Sequence, residues 1–108
     1  MFDNICATER GQIFLQEDVG NQAHIGKIWR YDVGSDTLVE VAHHDEDRFA
    51  VGGSSFLTID EEASGIIDVS DILGEGKFLL DVQAHYGTDS ELVEGGQLLL
   101  MHVPPGKK

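Results

Sequence analysis

Trp29-Arg30-Tyr31-Asp32-Val33-Gly34-Ser35-Asp36-Thr37-Leu38-Val39-Glu40-Val41 holds two runs of aromatic and β-branched residues around a four-residue turn, Gly34-Ser35-Asp36-Thr37. Aromatic and β-branched side chains suit a pleated strand, and Gly, Ser and Asp suit the tight turn between antiparallel neighbours. The stretch reads as a β-hairpin. Working outward, similar short runs bounded by Gly, Asp and Asn recur, and a helical period of 3.6 is hard to find. The pattern predicts strands at Ile5 to Thr8, Gln12 to Glu17, Lys27 to Val33, Leu38 to His43, Gly65 to Val69, Lys77 to Ala84 and Gln97 to Val103. The segment Ile67 to Gly74 lacks clean alternation and suits a short helical turn with Ser70 as its cap.

The connections between the first four runs are Glu9-Arg10-Gly11, Asp18 to Gly26 and Gly34-Ser35-Asp36, which make a sequential antiparallel meander. After the acidic, glycine-containing stretch Asp45 to Glu62 the pattern partly repeats, with Gly76-Lys77-Phe78-Leu79-Leu80 echoing Gly11-Gln12-Ile13-Phe14-Leu15. Self-similar meanders at a period of about 45 to 65 residues are how the blades of a β-propeller read in sequence. The expected fold is therefore all-β, with antiparallel four-stranded meanders amounting to about two blades of a propeller. The blade-like units cover about 1–47 and 60–104 of a single β domain, 1–108. The second unit has three strands to the first one's four.

Composition sets the outer limits. At 108 residues the chain is one domain at most and too short for a complete propeller, and its 41% hydrophobic content is that of a globular protein. No apolar run approaches the roughly 20 residues that span a bilayer. Met1 to Gln12 shows no basic region followed by an apolar stretch, so no secretory signal is expected in the chain as given. The one cysteine, Cys6, has no partner for a disulfide or a thiolate metal site and reads as a small apolar strand residue. Seven Lys and Arg against 20 Asp and Glu give a formal net charge of −13, which repels phosphate backbones and anionic membranes. Neither nucleic acid nor membrane is an expected partner.

Several strings resemble the PhoX-type bacterial alkaline phosphatase family. They are Asp3-Asn4-Ile5, Leu15-Gln16-Glu17-Asp18 with Gly20-Asn21, and Ile28-Trp29-Arg30-Tyr31-Asp32. More specific are Asp60-Glu61-Glu62-Ala63-Ser64-Gly65-Ile66-Ile67-Asp68, Leu80-Asp81-Val82-Gln83-Ala84-His85-Tyr86 and Leu92-Val93-Glu94-Gly95-Gly96-Gln97-Leu98. The match is to the C-terminal portion of a longer member. The resemblance implies a propeller with metal ions at its central opening, descent from an exported parent, and hydrolysis of phosphate monoesters with Ca²⁺ and iron in the intact enzymes. It does not imply that two blades are active alone. Iron is not expected here, because the cysteine that ligands it in the family lies in an upstream region and is not Cys6.

The meander also makes a geometric prediction of its own. Entry to the first strand of a unit and exit from the second lie at one edge of the sheet. In the first unit that edge holds Asp3 and Asn4, then Glu17, Asp18 and Asn21; in the second it holds Asp60, Glu61 and Glu62, then Gln83 and His85. Carboxylates gathered this way repel one another unless a cation relieves them, which points to Ca²⁺ or another hard metal. The candidate ligands are Glu17, Asp18, Glu61, Glu62 and His85, while Asp3, Asn4 and Asn21 read better as turn caps. Adjacent side chains alternate on an extended segment, so one of Glu61 and Glu62 is expected to turn inward. His43-His44 with Asp45, Glu46 and Asp47 reads as a solvated rim, and Trp29 and Tyr31 read as aromatic packing between blades. No Ser–His–Asp order, glycine-rich phosphate loop or paired-cysteine motif is present. A second function class, a noncatalytic β module, follows from the missing fourth strand, whose open edge invites self-assembly into a homo-oligomer or pairing with a partner.

Overall fold

A computed structural model of the chain describes residues 2–19, 24–59, 61–84 and 95–104. Its elements are β1 (Phe2–Ala7), β2 (Gln12–Glu17), β3 (Lys27–Asp32), β4 (Thr37–His43), α1 (Glu46–Phe49), β5 (Glu61–Asp68), α2 (Ser70–Leu73), β6 (Lys77–Ala84) and β7 (Gly95–His102). The strands form a four-stranded sheet in the order β1-β2-β3-β4 and a three-stranded sheet in the order β5-β6-β7, every pairing antiparallel. The fold is all-β, built from the two sequential meanders that the turn chemistry dictates.

The deciding hairpin joins β3 to β4 through Val33–Asp36, with Asp32 opposite Thr37 and Tyr31 opposite Leu38. Asp36 takes a left-handed φ of +52°, which Asp tolerates better than most residues. Its carboxylate accepts a 2.7 Å hydrogen bond from the Tyr31 hydroxyl, which raises the phenol's pKa because deprotonation would set two anions side by side.

The two sheets pack face to face. Alternation along β2 turns Phe14 and Gln16 inward, and alternation along β6 turns Phe78, Leu80, Val82 and Ala84 inward. The Phe14 and Phe78 rings meet at a centroid distance of 4.4 Å, and Ile28, Ile66 and Phe49 complete the buried cluster. Trp29 and Tyr31 do not share in this packing. They lie on the opposite face of β3 and are half-buried, so the face between the sheets is aliphatic at Ile28.

Three irregularities shift strand parity, and one of them lies in β4, where Val41 is the extra residue between the Ile28–Ala42 and Trp29–Glu40 pairings. In β5 the pairing slips between Ala63 and Gly65, leaving Ser64 as an extra residue whose hydroxyl donates to Asp81. Glu61 and Ala63 therefore face inward before the bulge, and Ile66 faces inward after it. In β1 a further slip between Phe2 and Asn4 makes Asp3 the extra residue. β5 also begins at Glu61 rather than Gly65, since pairing with Gln83 and Ala84 overrides the low strand preference of Glu61-Glu62.

The short helical turn near Ser70 is present, with a different cap. Val69 is the N-cap and Ser70 the first helical residue, while the Asp68 carboxylate accepts from both the backbone N–H and the hydroxyl of Ser70. The stretch after β4 carries a further turn, α1, capped by Asp45, whose side chain accepts from the Asp47 N–H.

Both outward sheet faces are rich in apolar side chains. On the first sheet Ile5, Leu15 and Trp29 stand in one register row, and Ala7, Ile13, Tyr31 and Leu38 in the next. On the second sheet Ile67, Leu79 and Leu100 form a row across all three strands, with Ile67 58% and Leu100 56% exposed.

Candidate functional site

The two sheets are fastened at the strand edge where the meander argument places the carboxylates. Asn4 donates from Nδ2 to the Ala63 carbonyl at 2.7 Å, Gln16 donates from Nε2 to the Gly65 carbonyl at 3.3 Å, and Asp18 forms an antiparallel bridge with Glu62. At the far end of β5, Arg10 in the β1–β2 turn lies 3.6 Å from Asp68. Burial pushes the Asp68 carboxyl up, but the two Ser70 hydrogen bonds and the Arg10 charge outweigh it and hold the group below its ordinary value.

At this junction Asp3, Asp18 and Glu62 bring carboxylate oxygens within 4.8 Å of one another. Three separate stretches of chain supply them: the β1 bulge, the exit of β2 and the start of β5. One Asp18 oxygen, Oδ1, is shielded from solvent. Calcium holds oxygens at about 2.3–2.6 Å, so two ligands of one ion stand about 3–5 Å apart. The trio fits that spacing, and an all-oxygen donor set suits a hard cation rather than a soft one.

The other expected ligands go elsewhere. Glu17 accepts from the Lys27 backbone N–H at 3.0 Å and from the Trp29 indole N–H at 3.1 Å, which ties β2 to β3 on the outward face. Glu61 is fully buried, accepts from the Gly26 N–H at 3.2 Å, and pairs through Oε2 with Nδ1 of His44. Alternation turns Glu61 into the core and Glu62 toward Asp3 and Asp18. His85, Asp60 and Asn21 lie outside the described residues.

His44 corrects the reading of its tract as a solvated rim. His43 is exposed, but His44 is 5% exposed because α1 folds Phe49 over it, ring centroids 6.1 Å apart, while Glu61 meets it from the other sheet. Gly26 belongs to the same arrangement. A Cβ there would stand 2.9 Å from His44 Cε1 and 3.1 Å from Glu61 Oε2.

Asp3, read from sequence as a turn cap, is the extra residue of the β1 bulge and lies with Asp18 and Glu62 of this trio. Its adjacency to the β1 entry was the one available signal. No family model, curated protein or solved structure matches the chain.

Proposed function

We propose that the chain is a two-blade segment of a metal-dependent β-propeller of the PhoX phosphatase type, binding Ca²⁺ at Asp3, Asp18 and Glu62 and lacking phosphatase activity by itself. The observation that carries this reading is the meeting of those carboxylates, from both meanders, at the edge where the first strands of the two sheets adjoin. Propeller blades converge there on a central axis, and an ion at that axis draws ligands from successive blades. The apolar outward faces support the blade reading as well, because a blade inside a ring is covered on both sides.

Two sheets supply part of a coordination shell. Binding is accordingly weak, with Kd about 10⁻⁴ to 10⁻³ M. At 10 mM Ca²⁺ this corresponds to about 1.4–2.7 kcal/mol of added stability. Calorimetric titration and thermal melting test it. Saturable heat and a raised Tm, both lost in Glu62→Gln and Asp18→Asn but kept in Glu17→Gln, are expected; equal responses in all variants would sink the metal site. Hydrolysis of p-nitrophenyl phosphate is expected at the blank rate with Ca²⁺ present.

A second reading, a noncatalytic module that assembles with its own copies or a partner through an open strand edge, is favoured by the strand count. The first sheet has four strands and the second three among the described residues, so β7 is an edge where its counterpart position in the first sheet, β3, is paired on both sides.

A further inference from the structure

Opposite β4 the second sheet has no strand among the described residues, and a cleft of about 510 Å³ lies there. Its walls include Ala42, His44 and Phe49 on one side and Leu99, Leu100 and Met101 of β7 on the other. Successive strand residues point to opposite faces, so a wall made of three in a row is made by the edge of the strand, backbone included. That edge offers backbone N–H and C=O groups to any further strand laid alongside it.

The cleft also holds a polar requirement. The His44 side chain is 97% buried, its Nδ1 is engaged by Glu61, and its Nε2 has no hydrogen-bond partner among the described residues. A carboxylate on Nδ1 selects the tautomer with the proton there, which leaves Nε2 as an acceptor. Whatever fills the cleft must bring a donor to it. At the rim Asp45 is paired with Arg48 at 3.3 Å, while Glu46 and Asp47 beside them are exposed, in a chain of net charge −13.

We propose that the β7 edge and this cleft bind an extended peptide segment as a fourth strand. Its inward side chains are aliphatic except for one hydroxyl residue that donates to His44 Nε2, and it carries basic residues at its ends. Main-chain pairing gives such a complex its affinity, and the alternate side chains give it selectivity. The inference rests on the second reading above, that β7 is a docking edge, and adds the occupant's chemistry.

The test uses the full chain and a fluorescein-labelled heptapeptide, Lys-Val-Gln-Thr-Gln-Val-Lys, whose Val, Thr and Val share one face. Anisotropy should show saturable binding, hydrogen exchange should slow over 95–102, and N-methylation of alternate peptide nitrogens should weaken binding about tenfold or more. Replacing the threonine by valine should weaken binding about fivefold or more in the native chain, since it leaves Nε2 unmet, and not in His44→Phe. The threonine comparison on the native chain stands even if that variant folds poorly. Protection of β7 without any threonine preference would overturn the proposed chemistry and leave the docking edge intact. Binding that ignores N-methylation, or no binding at all, would overturn both.

Discussion

Replacing Glu61 by Ala tests whether a buried carboxylate–imidazole hydrogen bond joins the two sheets. The substitution strips the acceptor from two buried donors, the Gly26 N–H and His44 Nδ1, each costing about 1–3 kcal/mol when left unmet. The one methylene lost from a fully buried position adds about 0.8 kcal/mol. The sum agrees with the 3–5 kcal/mol typical of breaking a buried pair, so about 4 kcal/mol is expected. For a chain of this size that lowers Tm by about 15 °C or more. Glu61→Gln keeps the shape and one acceptor and should cost about 1–2 kcal/mol. His44→Phe leaves the Glu61 carboxylate buried without its partner and should cost about as much as Glu61→Ala. The double variant Glu61→Ala, His44→Phe removes both partners together and should be more stable than the sum of the single losses by about 2–3 kcal/mol. Urea unfolding followed by the fluorescence of Trp29, the chain's one tryptophan, measures all four. Additivity within about 0.5 kcal/mol would refute the coupling and the buried geometry on which it rests.

Phe14→Ala should cost about 3–5 kcal/mol in the same urea assay, since Phe14 is fully buried against Phe78. Gly26→Ala should cost about 1–3 kcal/mol by pressing a methyl into the His44–Glu61 pair, and this loss should shrink when Glu61 is already Ala. Burial pushes the Cys6 thiol above its ordinary value, so iodoacetamide labelling at pH 8 should be slower in the folded chain than in urea. The Asp68 carboxyl is held low in the fold, so its contribution is present above its unfolded pKa and is lost as pH falls through the folded one. An acid unfolding curve should therefore show Asp68→Asn converging on the parent at the lowest pH.

Strand positions were legible because turn chemistry and alternation are local. Gln12–Glu17 and Lys77–Ala84 match the predicted strands at both ends, and the Gly34 hairpin forms as read. What local reasoning misses is what one sheet does to the other. Nothing in His43-His44-Asp45 announces that His44 is buried, because its partner is 17 residues away on a different sheet and Phe49 covers it only once α1 has turned. Trp29 and Tyr31, on one face of their strand by alternation, read as aromatic packing between blades. The parity of β3 puts Ile28 inward instead, and Trp29 finds its partner in Glu17, a residue the same reasoning had offered to a metal.

The bulges decide which of the carboxylates at the junction meet. Antiparallel geometry alone places the β1 entry, the β2 exit and the β5 entry at adjoining edges, and this much any meander implies. Which carboxylate at that edge faces which way depends on parity, and parity changes wherever a residue is inserted into a strand. Asp3 is such an insertion. The consecutive acids Glu61 and Glu62 are then divided by simple alternation between two tasks: one accepts from a buried imidazole beneath the junction, the other joins Asp3 and Asp18 at its edge. The first task needs no ion and the second suits one. Calcium should consequently leave the Glu61–His44 coupling unchanged, and a coupling energy that moved with Ca²⁺ would mean that both glutamates serve a single site.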